Sequence, residues 1–336
     1  MHLGEISTII FFGGGKVLLN IINDFRENNF KIYLFSSKRL LNEIYEKKSF
    51  SEHLLKNNVK YFQTNNINDD KNINGLITKN VLGLSFGAPW IFKKDLINKF
   101  GGRLLNMHCR RLPKYRGGGG FSWLIMNNYK KGCSLLHKLE VGIDTGPIVK
   151  KTDFNFPRHL KTPAEFEDFQ YKKDIKFLLE FIRDIKFNKK FDLVDQNDNS
   201  EYWPRLYTPL HGYINWSWDL NSILSFINAF ESPYQGASTF INGKKVFIKN
   251  CSIITSNDFH PFQNGIIYRK SASKLFVSTD KGTLVVGKVF LENGQSAFKI
   301  IKAGDRLHTP NNYLDEALSS RVVIKPDGSI VNNNNQ

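Results

Sequence analysis

The chain has 336 residues, 41% of them hydrophobic, and a formal net charge of +16. This length accommodates two domains, no apolar run reaches the roughly 18 residues of a membrane span, and the first residues lack the pattern of a secretory signal. The three cysteines have neither metal-site spacing nor an even count, which is typical of a reducing compartment. We therefore expect a soluble protein of the cytoplasm.

The positive charge has two interpretations. A basic surface is typical of proteins that bind nucleic acid, but the lysines are spread along a chain that is rich in Lys, Asn, Ile and Phe throughout. A bias of composition therefore explains the charge better, and the same field would also attract an anionic small ligand.

The first half of the chain alternates predicted strands with predicted helices. Residues 9–12 form an apolar run that ends in three glycines, and apolar residues at helical spacing follow it, which is the opening unit of a doubly wound sheet. The glycines match neither a dinucleotide fingerprint nor a P-loop, so they predict a tight turn with close backbone approach. Further strands at 31–35, 81–86 and 104–108 predict a Rossmann-like α/β domain with a mostly parallel sheet.

The second half has a different pattern. Residues 162–187 predict an amphipathic helix that closes a first domain, 1–187, and the polar stretch 188–205 predicts a linker. Short strands at 237–241, 245–251, 265–269, 274–279 and 283–291 are separated by turn residues. They predict a smaller antiparallel, OB-like β-barrel domain over 206–325. We expect residues 326–336, which end in Asn and Gln, to form a disordered tail.

Three polar residues form the candidate catalytic set. Asn106 and His108 are two apart on a predicted strand, so they project from one face near the carboxyl edge of the sheet, where such folds bind ligands. A carboxamide and an imidazole together can stabilise an oxyanion and transfer a proton, and the carboxylate of Asp144 could orient the imidazole. Cys109 would point to the opposite face, which predicts a packed thiol. Taken singly, His108 could be structural and Asp144 a turn residue.

The spacing of these residues resembles one enzyme family. Asn-x-His at 106–108, Leu-Pro-x-Tyr-Arg-Gly at 112–117 and Gly-Ile-Asp-Thr-Gly-Pro-Ile at 142–148 are similar to the N10-formyltetrahydrofolate-dependent formyltransferases. The resemblance implies N10-formyltetrahydrofolate as formyl donor, no metal, and a primary amine as acceptor. It also implies that Asn106 and protonated His108 stabilise the oxyanion, that His108 or a water molecule moves protons, and that Asp144 orients His108.

The resemblance further implies two binding regions. The loop after the third predicted strand and the loop before Asp144 would bind the folate, through Phe86, Gly87, Ala88, Pro89, Trp90, Val141, Gly142 and Ile143. The loop after His108 would bind the acceptor, through Lys114, Tyr115, Arg116, Gly117 and Trp123. Four glycines at 117–120 replace the commoner Gly-Ala-Ala-Pro of the family. They allow close backbone approach or an anion, or they form a plain flexible loop.

Members of this family differ in the amine that accepts the formyl group. Residues 36–50 lack the Gly, the Pro and the Arg-rich tip that are typical of methionyl-tRNA formyltransferases, whereas residues 202–205 and 304–310 look similar to sugar N-formyltransferases. We therefore expect a nucleotide-linked amino sugar, for example a 4-amino-4,6-dideoxyhexose of the O-antigen type, with methionyl-tRNA as the alternative.

The expected partners follow from that choice. A nucleic acid would be a partner only under the tRNA alternative, no membrane partner is expected, and the oligomeric state stays open, a homodimer included. A non-enzymatic reading, a basic oligonucleotide-binding barrel fused to an inactive α/β domain, is disfavoured by the intact catalytic set.

Overall fold

The computed structural model describes residues 1–197, 199–255 and 258–332. The strands of its first half are β1 (Thr8–Gly13), β2 (Lys31–Ser36), β3 (Ile44–Tyr45), β4 (Lys48–Ser49), β5 (Tyr61–Gln63), β6 (Val81–Phe86), β7 (Leu104–His108), β8 (Lys131–Lys138) and β9 (Ile148–Asn155). Seven of them form one sheet in the order β5-β2-β1-β6-β7-β8-β9. The first five strands in this order pair in parallel, whereas β8 pairs antiparallel with both β7 and β9. This is the mostly parallel Rossmann-like sheet that the sequence predicted.

Helices cover both faces of this sheet. They are α1 (Lys16–Glu27), α2 (Lys38–Leu41), α3 (Phe50–Lys56), α4 (Lys71–Asn74), α5 (Lys94–Lys99), α6 (Gly120–Met126) and α7 (Pro163–Lys186). The apolar sides of α1 and α7 pack on one face, and α5 packs on the other. Thr162 and Glu165 form a capping box at the start of α7, which satisfies backbone N–H groups that a helix otherwise leaves unpaired.

The glycines after β1 form the predicted tight turn. Gly13 has φ +108°, and a Cβ atom there would lie 2.1 Å from the carbonyl oxygen of Phe86. Only glycine allows this approach. The turn brings β1 and β6 together at the point where the strand order changes direction, and in such sheets the carboxyl edge at this point is the usual ligand site.

The second half forms the predicted antiparallel domain. Its elements are α8 (Thr208–His211), α9 (Leu220–Ala229), β10 (Ala237–Ile241), β11 (Lys244–Ile254), β12 (Ile267–Lys270), β13 (Leu275–Thr279), β14 (Gly282–Leu291), β15 (Leu307–His308), α10 (Asn311–Ser319), β16 (Val322–Ile324) and β17 (Ile330–Asn332). The sheet order is β12-β13-β14-β11-β10-β15. A bridge between Ile266 and Arg306 links its two edges, so the sheet curls as in a barrel.

The end of the chain differs from the prediction. Strands β16 and β17 form an antiparallel hairpin, so residues 326–332, which we expected to belong to a disordered tail, contain a turn and a strand. Residues 333–336 of that tail lie outside the described residues.

One hydrophobic core joins the two halves. Phe156 and Phe166 from the first half are buried together with Ile223 and Phe226 of α9 and with the inner face of the second sheet. The two halves therefore share a packed interface and are not connected by the linker alone. Within the described residues, no helix is both long and apolar enough to cross a membrane.

Candidate active site

The structure brings Asn106, His108 and Asp144 together. Asn106 and His108 lie at the carboxyl end of β7, and Asp144 enters from the loop between β8 and β9. The Oδ2 atom of Asp144 is 3.8 Å from Nδ1 of His108, and its Oδ1 atom is 3.5 Å from Nδ2 of Asn106. The predicted catalytic set is thus one cluster at the edge of the sheet where ligands are expected.

Backbone and linker contacts hold Asp144 in place. It adopts a left-handed conformation with φ +55°, which is uncommon for residues other than glycine but which Asp tolerates better than most. The amide of Gly117 donates to its Oδ2 at 2.9 Å. Gln196 of the linker donates to the carbonyl oxygens of Asp144 at 2.8 Å and Gly146 at 2.7 Å, so the linker fixes the catalytic loop.

A second histidine, which the sequence did not single out, orients Asn106. His137 lies on β8 directly opposite Asn106 and is fully buried. Its Nδ1 atom is 2.9 Å from the carbonyl oxygen of Lys138. A carbonyl only accepts, so Nδ1 carries the proton. Nε2, at 3.0 Å, then accepts from the Asn106 carboxamide. The other N–H of Asn106 faces Asp144 at a weak 3.5 Å and is free to serve a ligand oxygen.

Hydrogen bonding also defines the proton position on His108. Its Nε2 atom donates to the carbonyl oxygen of Tyr115 at 2.9 Å, so Nδ1, which faces Asp144, is the basic nitrogen. Burial lowers the pKa of His108 although the charge of Asp144 opposes this. The lowered pKa favours a neutral imidazole at neutral pH, and the protonated His108 that the family resemblance implies stays a prediction.

Asp144 stays ionised. Burial by itself would raise its pKa, but the rings of His137 and His108, which carry a positive charge when protonated, and the amide of Gly117 outweigh burial and hold the pKa at about 2. A neutral base thus faces a permanent negative charge, which can stabilise the imidazolium form once the base is protonated.

The cluster opens into a cavity of about 480 Å³, the catalytic cavity. Of the residues predicted to bind folate, six line it: Gly87, Ala88, Pro89, Trp90, Gly142 and Ile143. Phe86 instead lines a smaller cavity of about 260 Å³ beside the start of α1. Val141 is 68% exposed and lies outside the catalytic cavity. The indole of Trp90 donates to the carbonyl oxygen of Asn65 at 3.0 Å, so this side chain is both part of the core and part of the cavity wall.

Most residues predicted to bind the acceptor have other contacts. Gly117 lines the catalytic cavity, and Lys114 is exposed on its loop. Tyr115 packs on Trp203, Arg116 donates to Gln196, and Trp123 donates to the carbonyl oxygen of Pro204. These last three side chains hold the linker, and none of them lines the catalytic cavity.

The thiol of Cys109 points away from the cluster. It donates to Oδ2 of Asp174 on α7 at 3.2 Å, on the face of the sheet opposite His108. Burial and the charge of Asp174 raise its pKa well above the usual range, so it is not a nucleophile. Among the described residues, no group of three or more His, Cys, Asp or Glu side chains is arranged to hold a metal.

Comparison with known proteins identifies two matching family models. "Formyl transferase" matches residues 7–168, and "Formyl transferase, C-terminal domain" matches residues 208–298. Methionyl-tRNA formyltransferase of Clostridium tetani is 25% identical over 71% of this chain and 76% of that protein. The bifunctional polymyxin resistance protein ArnA of Wigglesworthia glossinidia brevipalpis is 28% identical over 60% of this chain, which spans only 30% of that protein's length.

Two solved structures share the fold. The sugar 3N-formyl transferase WlaRD, determined in the presence of dTDP and 5-N-formyl-THF, has a TM-score of 0.64 and 22% identity over 84% of this chain and 98% of its own. The N-formyltransferase from Helicobacter canadensis, in complex with folinic acid and dTDP-3-aminofucose, has a TM-score of 0.64 and 20% identity over 85% of this chain and 100% of its own. At these identities the likeness concerns the fold.

Proposed function

The chain belongs to the formyl transferase family, and from this premise we propose that it transfers the formyl group of N10-formyltetrahydrofolate to the primary amine of a nucleotide-linked amino sugar. The observation that carries the proposal is the convergence of Asn106, His108 and Asp144 on one cavity. Two structural neighbours that span most of this chain are a sugar 3N-formyl transferase determined in the presence of dTDP and an N-formyltransferase in complex with dTDP-3-aminofucose, which supports the choice of acceptor.

The catalytic cavity has residues that fit a folate. Its volume of about 480 Å³ lies within the range of sites for small organic ligands. Gly87, Ala88 and Gly142 have little or no side chain and bring backbone N–H and C=O groups to the surface, as a flat heterocycle with many donors and acceptors requires. Trp90 and Ile143 supply apolar area beside them.

When bound, the formyl-folate supplies an electrophilic formyl carbon for attack by the acceptor amine. Asn106 donates the N–H that is only weakly engaged by Asp144 to the oxygen on which negative charge develops. His108 accepts the proton of the attacking amine at Nδ1 and later returns it to the leaving nitrogen. Asp144, 3.8 Å away, stabilises the imidazolium between these two transfers. His137 keeps the Asn106 carboxamide in the required orientation.

The test is an acceptor assay with purified protein and N10-formyltetrahydrofolate. The acceptors are dTDP-linked 3-amino and 4-amino dideoxysugars, compared with methionyl-tRNA, and the readout is mass spectrometry of the product. We expect formyl transfer to a sugar amine, which the variant His108→Gln reduces by about two to four orders of magnitude because it lacks the base. Transfer to methionyl-tRNA alone would contradict the proposal.

Methionyl-tRNA formyl transfer is the second candidate. Its support is the identity of 25% to a methionyl-tRNA formyltransferase over most of both chains. Residues 36–50, where those enzymes carry a basic insertion, here form α2 and the small β3–β4 hairpin, a short structure that favours the sugar acceptor.

A further inference from the structure

Three arginines from distant parts of the chain line the catalytic cavity together with the catalytic cluster. They are Arg39 of α2, Arg205 at the end of the linker, and Arg321 just before β16. The acidic residues among the described lining are Glu140 and Asp144, and Asp144 already accepts a hydrogen bond from the amide of Gly117. This side of the cavity is therefore positively charged.

The guanidinium groups are incompletely paired. Arg205 has no hydrogen bond or ion pair with any residue in the described ranges. Arg39 binds Glu43 through Nη1 at 2.8 Å, but its buried Nε has no partner among the described atoms. Arg321 donates to the hydroxyl of Tyr202 at 3.1 Å and stacks over its ring. Partial burial and the charge of Arg39 lower the pKa of Arg205, so a bound anion would relieve repulsion between the two.

The glycine loop (residues 117–120) determines where Arg205 lies. A Cβ atom on Gly118 would be 3.2 Å from Nε of Arg205, so the absence of a side chain lets the guanidinium rest on the loop backbone. Gly117, the preceding residue, binds Asp144. Arg205 therefore contacts the loop at Gly118, the residue next to the one that binds Asp144 of the catalytic cluster.

Beyond Arg205 the surface opens into a second space of about 560 Å³, the adjoining cavity. Gly118, Arg205 and Ile324 border both cavities. The wall of the adjoining cavity includes Tyr207 and Tyr234, and rings of this kind stack on nucleobases. Along this surface, the catalytic cluster is followed by the arginines and then by the adjoining cavity with its aromatic wall.

We propose that Arg39, Arg205 and Arg321 bind the diphosphate of the acceptor and that the adjoining cavity takes its nucleoside, an inference that rests on the proposed function. A nucleotide-linked amino sugar has the matching order of groups: amine, diphosphate and base. Guanidinium groups suit this role because each presents several N–H donors in a plane to phosphate oxygens.

The test measures dTDP binding by calorimetry, without turnover. Arg205→Gln and Arg321→Gln should each weaken dTDP about tenfold to a hundredfold, the loss expected when a charge-assisted hydrogen bond is removed. Both should leave the affinity for N10-formyltetrahydrofolate unchanged. Arg269→Gln is the matched control, because this exposed arginine stacks on Phe276 on β13, outside both cavities, and it should bind dTDP like the unmodified protein.

Several results would overturn the proposal. One is an unmodified protein that binds no dTDP, and another is dTDP binding that Arg205→Gln and Arg321→Gln leave unchanged. A third is that these variants lose affinity for the folate and not for dTDP, which would mean that the arginines bind the glutamyl carboxylates of the folate. Weaker dTDP binding in Arg110→Gln alone would move the nucleotide to the cavity beside α1, which Arg110 lines. Arginine-dependent dTDP binding without formyl transfer to any sugar would refute the proposed function and leave the subsite standing.

Discussion

The chemistry of the site depends on which nitrogen of each histidine carries a proton. Two backbone carbonyls decide this, Tyr115 for His108 and Lys138 for His137. They leave Nδ1 of His108 as the base beside Asp144 and Nε2 of His137 as the acceptor for Asn106. In the proposed mechanism, His108 therefore moves a proton and His137 positions the N–H donor of Asn106.

Asp144→Asn tests the electrostatic link. His108 acts when neutral, so the acid limb of the kcat profile should fall below the usual histidine value of 6.5, because burial lowers its pKa. Loss of the carboxylate removes the charge that raises this pKa. The acid limb of the variant should therefore shift to lower pH, and the plateau should fall about a hundredfold or more, because the imidazolium loses its partner.

The control for this measurement is Asp153→Asn on β9. Its carboxylate is 41% exposed and pairs with Lys151, so we expect the unmodified pH profile. An acid limb of Asp144→Asn that moves to higher pH, or an unchanged plateau, would show that Asp144 does not act on His108.

At the level of elements, the linker and the glycine loop position the residues of the site, as the sheet does. Gln196 fixes the Asp144 loop, and Arg116 binds Gln196 in turn. Gly117 lies between Asp144 and Tyr202, with so little space that a Cβ atom would be 2.7 Å from the Tyr202 ring. Gly117 is thus needed for close packing, and the interpretation of the loop as plain and flexible does not account for this contact.

Gly117→Ala and Gly120→Ala separate crowding from backbone strain. Both residues have positive φ, +92° and +62°, but a Cβ atom on Gly120 would meet nothing within 4 Å. Gly120→Ala should therefore lose only the 1–2 kcal/mol or so of a left-handed alanine. Gly117→Ala should lose more stability and should also reduce kcat at least tenfold or so, because Asp144 loses its amide partner. Equal effects on Tm and kcat in the two variants would argue against this role for Gly117.

On the scale of the whole molecule, the interface between the two halves contributes both to stability and to the candidate active site. The core that joins the halves contains Phe166 of α7, fully buried between elements of both. The interface holds the second domain against the linker, and the C-terminal hairpin reaches the catalytic cavity with Val322, Val323 and Ile324. The smaller domain therefore completes the site as well as the core.

Phe166→Ala should destabilise the protein by about 3–5 kcal/mol, the usual loss for a buried phenylalanine. Urea unfolding gives this value, and Phe187→Ala is the control, since Phe187 is 79% exposed and should change stability by less than about 0.5 kcal/mol. A Phe166→Ala variant as stable as the control would mean that the two halves are not coupled through this core.

The sequence by itself determined the fold class and the approximate positions of nine strands, and it indicated a candidate catalytic motif. Strands β6, β7 and β10 have the predicted bounds, because alternation and apolar runs are local signals. The predicted role of Asp144 depended on a motif, since its residue type and neighbours alone indicate only a turn. Strands β8 and β9 were not predicted, and His137 on β8 was missed with them.

Only the tertiary structure decided which side chains meet. His137 faces Asn106 because β8 pairs with β7 in one register, and Gln196 reaches Asp144 because the linker runs along the edge of the sheet. Arg39, Arg205 and Arg321 share one cavity although they are far apart in the chain. Contacts of this kind arise from the packing of non-consecutive elements, for which a local pattern of residues contains no signal.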